Sequence, residues 1–407
     1  MQSILSLRRV MLLWFASLTI AGAGTPMAPA ADEPPATATW CEWLQNDPGE
    51  LYKDKGNHWL ESLTIGGRFH YQAAYIDGTD VNGRDFNDSY DEYRRARLEL
   101  KSKFLTYFSI KSSVNLVNDE RRNEGDLDWG YDTFDEAIIS LDLKKLFAAE
   151  PFEKLSLNYG RFKFNMTEEM HMSSKEIYTL ERSAMTNKLA GAQNRPTGMT
   201  LDAQIGDTSM TLGIFSGEDD SEFIGGWNDG LAYYLSVSHT LNDDWRLIFD
   251  GVMNDPSGED DFLAYDWATA LSAVYEKDQF GLLSTLVVGE NNSSAANRGG
   301  SFHSLTLMPW YWVVEKRLQA VCQYHYAGAS QSEGMRTNSR YFRSAHSPGV
   351  NVNGGRGDEL HTLYLGLNYH LCGHQAKIMG GIEYTSLETP AGEADALTYS
   401  IAFRTYF

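Results

Sequence analysis

Three things are scarce in this 407-residue sequence: cysteine, long apolar runs and basic charge. Its three cysteines, Cys41, Cys322 and Cys372, are too few for a disulfide framework in a chain of this length, and they lack the paired spacing of a metal site. The longest apolar stretch, Val10 to Ile20, has eleven residues, whereas a helix needs about 20 to cross a bilayer of about 30 Å. A helical membrane anchor is therefore excluded. With 34 Lys and Arg against 55 Asp and Glu, the formal net charge is −21. That balance argues against nucleic-acid partners, which require basic surfaces. Enzyme signatures are missing too: there is no Gly-x-Ser-x-Gly elbow, no His-Glu-x-x-His pair and no P-loop. The acidic clusters Glu218-Asp219-Asp220 and Glu259-Asp260-Asp261 lack the ligand spacing of a calcium loop. Nothing in the sequence implies a cofactor.

What is present begins with Arg8 and Arg9, an apolar run and then small residues, the pattern of a secretory leader over residues 1–31, cleaved between 23 and 31. Removing Arg8 and Arg9 with the leader takes the charge from −21 to −23. Residues 32–60, with Pro34, Pro35 and an Asp47-Pro48-Gly49 turn, read as a periplasmic preface, and 61–407 as the main domain.

The far end is the most informative part. From Asp395 to Phe407 one parity gives Leu397, Tyr399, Ile401, Phe403 and Thr405, and the other gives Thr398, Ser400, Ala402, Arg404 and Tyr406. An apolar outside and a polar inside, arginine included, is the pattern of a transmembrane β-strand around a wet lumen. The terminal Phe407 resembles the signal by which bacterial outer-membrane barrels are recognised for assembly. Similar alternating segments recur near 63–77, 90–104, 106–118, 134–143, 154–164, 197–206, 208–217, 228–239, 244–253, 263–277, 279–290, 301–314, 316–329, 358–371, 374–386 and 395–407. The fold class expected is all-β, a 16-stranded antiparallel transmembrane barrel.

Connections after odd strands are mostly long and polar, including Gly78 to Ser89 and Ser330 to Gly357, and those after even strands are mostly short. Outer-membrane barrels alternate extracellular loops and periplasmic turns in this way. Lys144 to Glu153 breaks the rule by its length. On this topology Cys41 and Cys372 both fall on the periplasmic side, leaving a bridge between them open in an oxidising compartment. The connection Asn165 to Pro196 contains helix-forming stretches at 173–176 and 179–182 and is expected to fold inward as a constriction after strand 5.

Strand parity points Arg68, His70, Arg95, Arg97, Lys101, Lys103 and Lys111 into the lumen against a single acid, Glu99. Elsewhere the inward set is mixed. Lumen charges can simply keep a pore wet, but like charge concentrated on three adjacent strands suits anion selection. Two other classes compete. One is an outer-membrane barrel enzyme with residues distant in sequence; the other is a secreted soluble β-protein that binds carbohydrate.

The segments Ile65-Gly66-Gly67-Arg68-Phe69, Tyr93-Arg94-Arg95-Ala96-Arg97-Leu98, Phe134-Asp135-Glu136-Ala137, Tyr159-Gly160-Arg161-Phe162, Ser173-Ser174-Lys175 and Leu180-Glu181-Arg182 resemble, in order and spacing, the phosphate-selective porin O and P family. The resemblance implies a trimeric sixteen-stranded porin with Arg68, Arg94, Arg95, Asp135, Ser173 and Ser174 at or near the constriction. Two features depart from a simple transfer. Phosphate-specific members carry a lysine three positions before the first serine, where this chain has Met170. Adjacent Arg94 and Arg95 should also face opposite sides of a regular strand, so both reach the lumen only through a bulge or near a strand end. The reading is a passive outer-membrane channel for small hydrophilic solutes with an anion preference, phosphate or other anions, and the runner-up is a general or organic-solute porin, passing neutral or acidic organic solutes without phosphate specificity. Its expected partners are outer-membrane lipid and lipopolysaccharide, small anionic solutes, the barrel assembly machinery and two further copies of the chain.

Overall fold

The structure, a computed structural model, describes residues 39–46, 48–117, 129–191, 195–217, 227, 230–256, 262–345 and 348–407. Sixteen strands form the wall: β1 Leu60–Thr79, β2 Asp85–Phe104, β3 Phe108–Val117, β4 Trp129–Asp142, β5 Lys154–Arg161, β6 Thr197–Ile205, β7 Thr208–Ser216 and β8 Gly230–Asn242, then β9 Trp245–Pro256, β10 Trp267–Lys277, β11 Phe280–Asn291, β12 Gly300–Val314, β13 Leu318–Ala329, β14 Glu359–His370, β15 Ala376–Thr389 and β16 Gly392–Tyr406. Each pairs antiparallel with its sequence neighbour, and β16 closes on β1 from Asp395 opposite Thr79 to Tyr406 opposite Arg68. Closure leaves no strand edge, which a sheet in hydrocarbon cannot tolerate.

The period of two is visible in exposure. On β14, Leu363, Leu365, Leu367 and Tyr369 are exposed, while Tyr364, Asn368 and His370 are buried. On β16, Leu397, Ile401 and Phe403 face out, and Ala396, Thr398, Ala402 and Arg404 are buried.

Connections differ from expectation in two places. The supposed loop Gly78 to Ser89 shrinks to residues 80–84, because β1 and β2 continue beyond the apolar pattern and end in a turn where Asp80 Oδ1 accepts from the Asn82 and Arg84 amides. The long connection after β4 holds a helix, Leu143–Phe147, capped by the Asp142 side chain on the Lys145 amide and ended by Ala148 in the left-handed region.

The preface is ordered where it is described. A helix, Trp40–Gln45, is tied by a Cys41–Cys372 disulfide to the turn between β14 and β15, with Cα atoms 5.0 Å apart. A short strand, Glu50–Lys53, pairs with β1. Phe407 exchanges backbone hydrogen bonds with Gly67 at 3.1 and 3.2 Å, and its ring lies where a Gly67 side chain would be.

The interior is not wet throughout. Phe164, Met166, Met185 and Leu189 from the 162–196 connection join Phe215, Tyr234, Phe262, Tyr265, Phe302 and Phe342 in one buried apolar cluster at the long-loop end. Alternation cannot reveal this cluster, since inward alanines such as Ala268 and Ala327 look neutral in the pattern and act by making room. Burying such a side chain is worth about 1.5–3 kcal/mol, enough to offset the entropy of ordering a long connection.

Candidate functional site

Two β-bulges shape the interior. Between β1 and β2, His70 faces Arg95 and Tyr71 faces Tyr93, leaving Arg94 as the extra residue. Between β3 and β4, Ser113 faces Glu136 and Val114 faces Phe134, leaving Asp135 extra. A bulge breaks the alternation locally, so Arg94 and Arg95 both turn inward, as do Asp135 and Glu136. Parity had placed only Glu136 inside. Gly160, at φ +141°, sits beside this second bulge, where a side chain would lie 2.0 Å from the Ala137 carbonyl. The neighbouring Arg161 donates to the Phe134 carbonyl at 2.8 Å.

The wall charges are largely answered. Arg68 donates to Glu99 and to the Ser174 hydroxyl, each at 2.5 Å, and Lys175 reaches Glu99 at 2.8 Å while lying over the Tyr406 ring. Asp135 accepts from Arg97 and, at 2.8 Å, from Arg195. Arg94 grips both oxygens of Glu181, at 2.6 and 3.1 Å. Lys111 pairs with Glu136 at 2.6 Å. The expectation of bases facing one acid is thus corrected: acids from the bulge on β4 and from the 162–196 connection compensate most of them. Lys101 and Lys103 stay exposed toward the short-turn end, and Lys101 faces Lys111 across the ladder.

One row lacks carboxylate hydrogen bonds. Arg404 lies opposite His70, and His70 opposite Arg95. Arg95 has His70 Nδ1 at 3.5 Å, and Arg404 donates to the Leu180 carbonyl.

The 162–196 connection is tied to inward-facing wall side chains along its length. Lys377 and Asn368 donate to the carbonyls of Ile177 and Tyr178, each at 2.8 Å. Arg246 grips Glu168 at 2.7 and 3.1 Å, and Asp250 takes the Thr167 amide at 3.0 Å. Glu169 is buried among Ser183, Thr186 and Gln323. Its helices are Glu168–His171 and Ala184–Leu189, not the expected 173–176 and 179–182. Wall donors hold the carbonyls of Ile177, Tyr178 and Leu180, so those carbonyls are not available to a helix. Arg68, Arg94, Arg95, Arg97, Asp135, Ser174 and Lys175 are brought together; Ser173 lines a separate cavity of about 650 Å³ with Glu176, Tyr178 and Trp310. Met170 is buried.

A second inward contact was not anticipated. Within the connection Ser330 to Gly357, a helix Arg340–Arg343 buries Arg340 against Glu92 at 2.8 Å, and the Tyr341 hydroxyl donates to Glu92 at 2.8 Å. The pair Tyr341-Phe342 within a polar stretch is the one sequence signal for it.

Among the charged groups around the meeting of the two connections with β1, β2, β4, β15 and β16 are nine bases, Arg68, Arg94, Arg95, Arg97, Lys175, Arg182, Arg195, Arg340 and Arg404, and six acids, Glu92, Glu99, Asp135, Glu169, Glu181 and Glu383. Burial pushes the Glu181 carboxyl up, but Arg94, with Arg95 and Arg404, outweighs it and holds the group down at about 2. Burial and neighbouring Arg94 push Arg340 down to about 9.

Several solved structures share this fold. OmpT, an outer membrane protein of Vibrio cholerae, is 12% identical, with 85% of this chain and 98% of that one covered at a TM-score of 0.54. The outer membrane channel DcaP of Acinetobacter baumannii is 12% identical over 88% and 99%, with a TM-score of 0.56. An anion-selective porin from Comamonas acidovorans is 11% identical over 84% and 99%, with a TM-score of 0.56. No curated protein matches the chain. A model of the phosphate-selective porin O and P family matches residues 63–233. That stretch carries both bulges, Arg68 to Asp135 and the Ser173-Ser174-Lys175 turn, so the likeness to the phosphate-selective porin O and P family lies over the part of the chain that builds the site.

Proposed function

We propose that the chain forms a passive outer-membrane diffusion channel for small hydrophilic solutes, preferring anions, rather than an enzyme. The observation that carries this reading is the excess of bases over acids, nine to six among the groups named, where the 162–196 connection meets the wall. Fixed charges at close quarters in a low-dielectric lumen lower the barrier for ions of opposite sign. In this reading the 162–196 connection is the constriction, and Arg68, Arg94, Arg95, Arg97, Lys175, Ser174 and Asp135 line the path. Lys101, Lys103 and Lys111 continue it toward the periplasm, and Ser173 flanks it. Support also comes from the likeness of residues 63–233 to the phosphate-selective porin O and P family and from the fold shared with a porin described as anion-selective. Phosphate is not singled out, because Met170 offers no charge where phosphate-specific members carry one.

The unit is a homotrimer in outer-membrane lipid and lipopolysaccharide, placed by the assembly machinery through Phe407. Residues 1–31 are its leader and 32–60 its periplasmic segment. The test is the reversal potential across a planar bilayer under a KCl gradient. Chloride should be favoured, and Arg95→Glu with Arg97→Glu should reduce or reverse the preference. Potassium preference in the unmodified protein would overturn the anion reading and leave a general porin.

A further inference from the structure

Glu181 belongs to a connection, not to the wall, yet it sits in a wall-built cradle. Arg94 grips both of its oxygens, and the Gln72 amide donates to Oε1 at 3.3 Å. Arg404, which is 1% exposed, holds Nε and Nη1 without hydrogen-bond partners. Its third guanidinium nitrogen, Nη2, donates to the carbonyl of Leu180, next in sequence to Glu181. Leu180 and Tyr364, which pack with Met379 and Ala402 in a buried apolar cluster, line the small cavity that Gln72 and Glu181 share. Arg94 and Glu181 themselves are only partly buried, so the cradle is open to the water path. Of the other acids nearby, Glu92 is already answered by Arg340 and Tyr341, and Glu383 lines the same small cavity as Glu181.

A planar fork closing on two oxygens, with spare arginine donors and an apolar flank, matches a carboxylate on a short carbon chain. Chloride is a single atom and cannot fill both arms of the fork, and phosphate gains nothing from the apolar side. We propose that Glu181 is a tethered carboxylate occupying a station built for the carboxylate of a permeating organic acid, so that small organic-acid anions are the solute class this pore favours. The inference rests on the anion reading above. A solute carboxylate exchanges with Glu181 for Arg94, and the tether keeps the station from holding any solute too long, since conduction requires release as well as capture.

The test is block of chloride current by potassium butyrate or by phosphate at equal concentration. It compares unmodified protein, Glu181→Ala and Glu181→Gln, with assembly confirmed by heat-modifiable gel mobility. Emptying the cradle with Glu181→Ala should lower the half-blocking butyrate concentration roughly tenfold, the scale of a charge-assisted hydrogen bond regained, with a smaller change for phosphate. Glu181→Gln removes the charge but keeps the volume, and should gain only about threefold; it carries the same test if the alanine variant does not assemble. Unchanged butyrate block, or phosphate gaining as much as butyrate, overturns the proposal. A chloride-favouring reversal potential alongside either result would leave the anion reading standing and sink this one alone.

Discussion

Asp135 shows how much one bulged residue decides. It accepts from Arg97 and Arg195 together, and its neighbour Glu136 separately takes Lys111. Removing one partner of a buried charge group leaves the others uncompensated, at a cost of about 3–5 kcal/mol. Asp135→Asn keeps the shape and removes the charge, so the barrel should convert to its unfolded gel form at a lower temperature, while the reversal potential moves further toward chloride. Unaltered heat stability together with unaltered selectivity would show that Asp135 is not the counter-charge described. At this scale the sequence was partly legible. Arg68, Arg94, Arg95, Asp135, Ser174 and Lys175 could be named in advance because their motif is local. Their partners could not: Glu181 reaches Arg94 across 87 positions and Arg340 reaches Glu92 across 248, and no period connects them.

At the scale of elements, strands were the most legible feature, since an outward apolar face against an inward polar one repeats in every segment. The helices of the 162–196 connection were not legible, because wall side chains, rather than local propensity, decide which carbonyls are free. The Cys41–Cys372 bridge spans 331 positions, and by loop length alone a bridge closing a loop of more than 100 residues would contribute about 5 kcal/mol. That figure does not apply here. Closure of β16 on β1 and pairing of Glu50–Lys53 with β1 already hold the chain nearby, so the bridge adds constraint only to the helix Trp40–Gln45. Cys372→Ser should therefore leave the heat-modification temperature of the barrel within a few degrees while loosening the helix Trp40–Gln45, read as faster chymotryptic cleavage at Trp43 and Leu44. A large fall in barrel stability would mean that the strand pairing does not suffice.

For the whole molecule, the net charge of −21 and the cationic excess inside oppose each other. The inward strand positions carry slightly more bases than acids, so the surplus acid lies in loops and turns, including Glu218-Asp219-Asp220 and Glu259-Asp260-Asp261, which are outside the described residues. Distance decides which set an ion feels. Screening acts over about 10 Å at 0.1 M salt and about 30 Å at 0.01 M. An ion passing Arg95 or Arg97 is within the shorter length in either case, so dilution strengthens the lumen's influence little. Remote loop acids gain far more, because the longer length brings them into range of the mouth, where they gather cations. The chloride preference should therefore weaken as KCl is lowered from 0.1 M to 0.01 M at a fixed concentration ratio across the bilayer. Neutralising Glu218, Asp219, Asp220 and Glu222 to the corresponding amides should remove part of that weakening without changing the preference at 0.1 M. A preference that instead grows steadily on dilution, with or without those acids, would place the controlling charges in the lumen alone and give the acidic loops no part in selectivity.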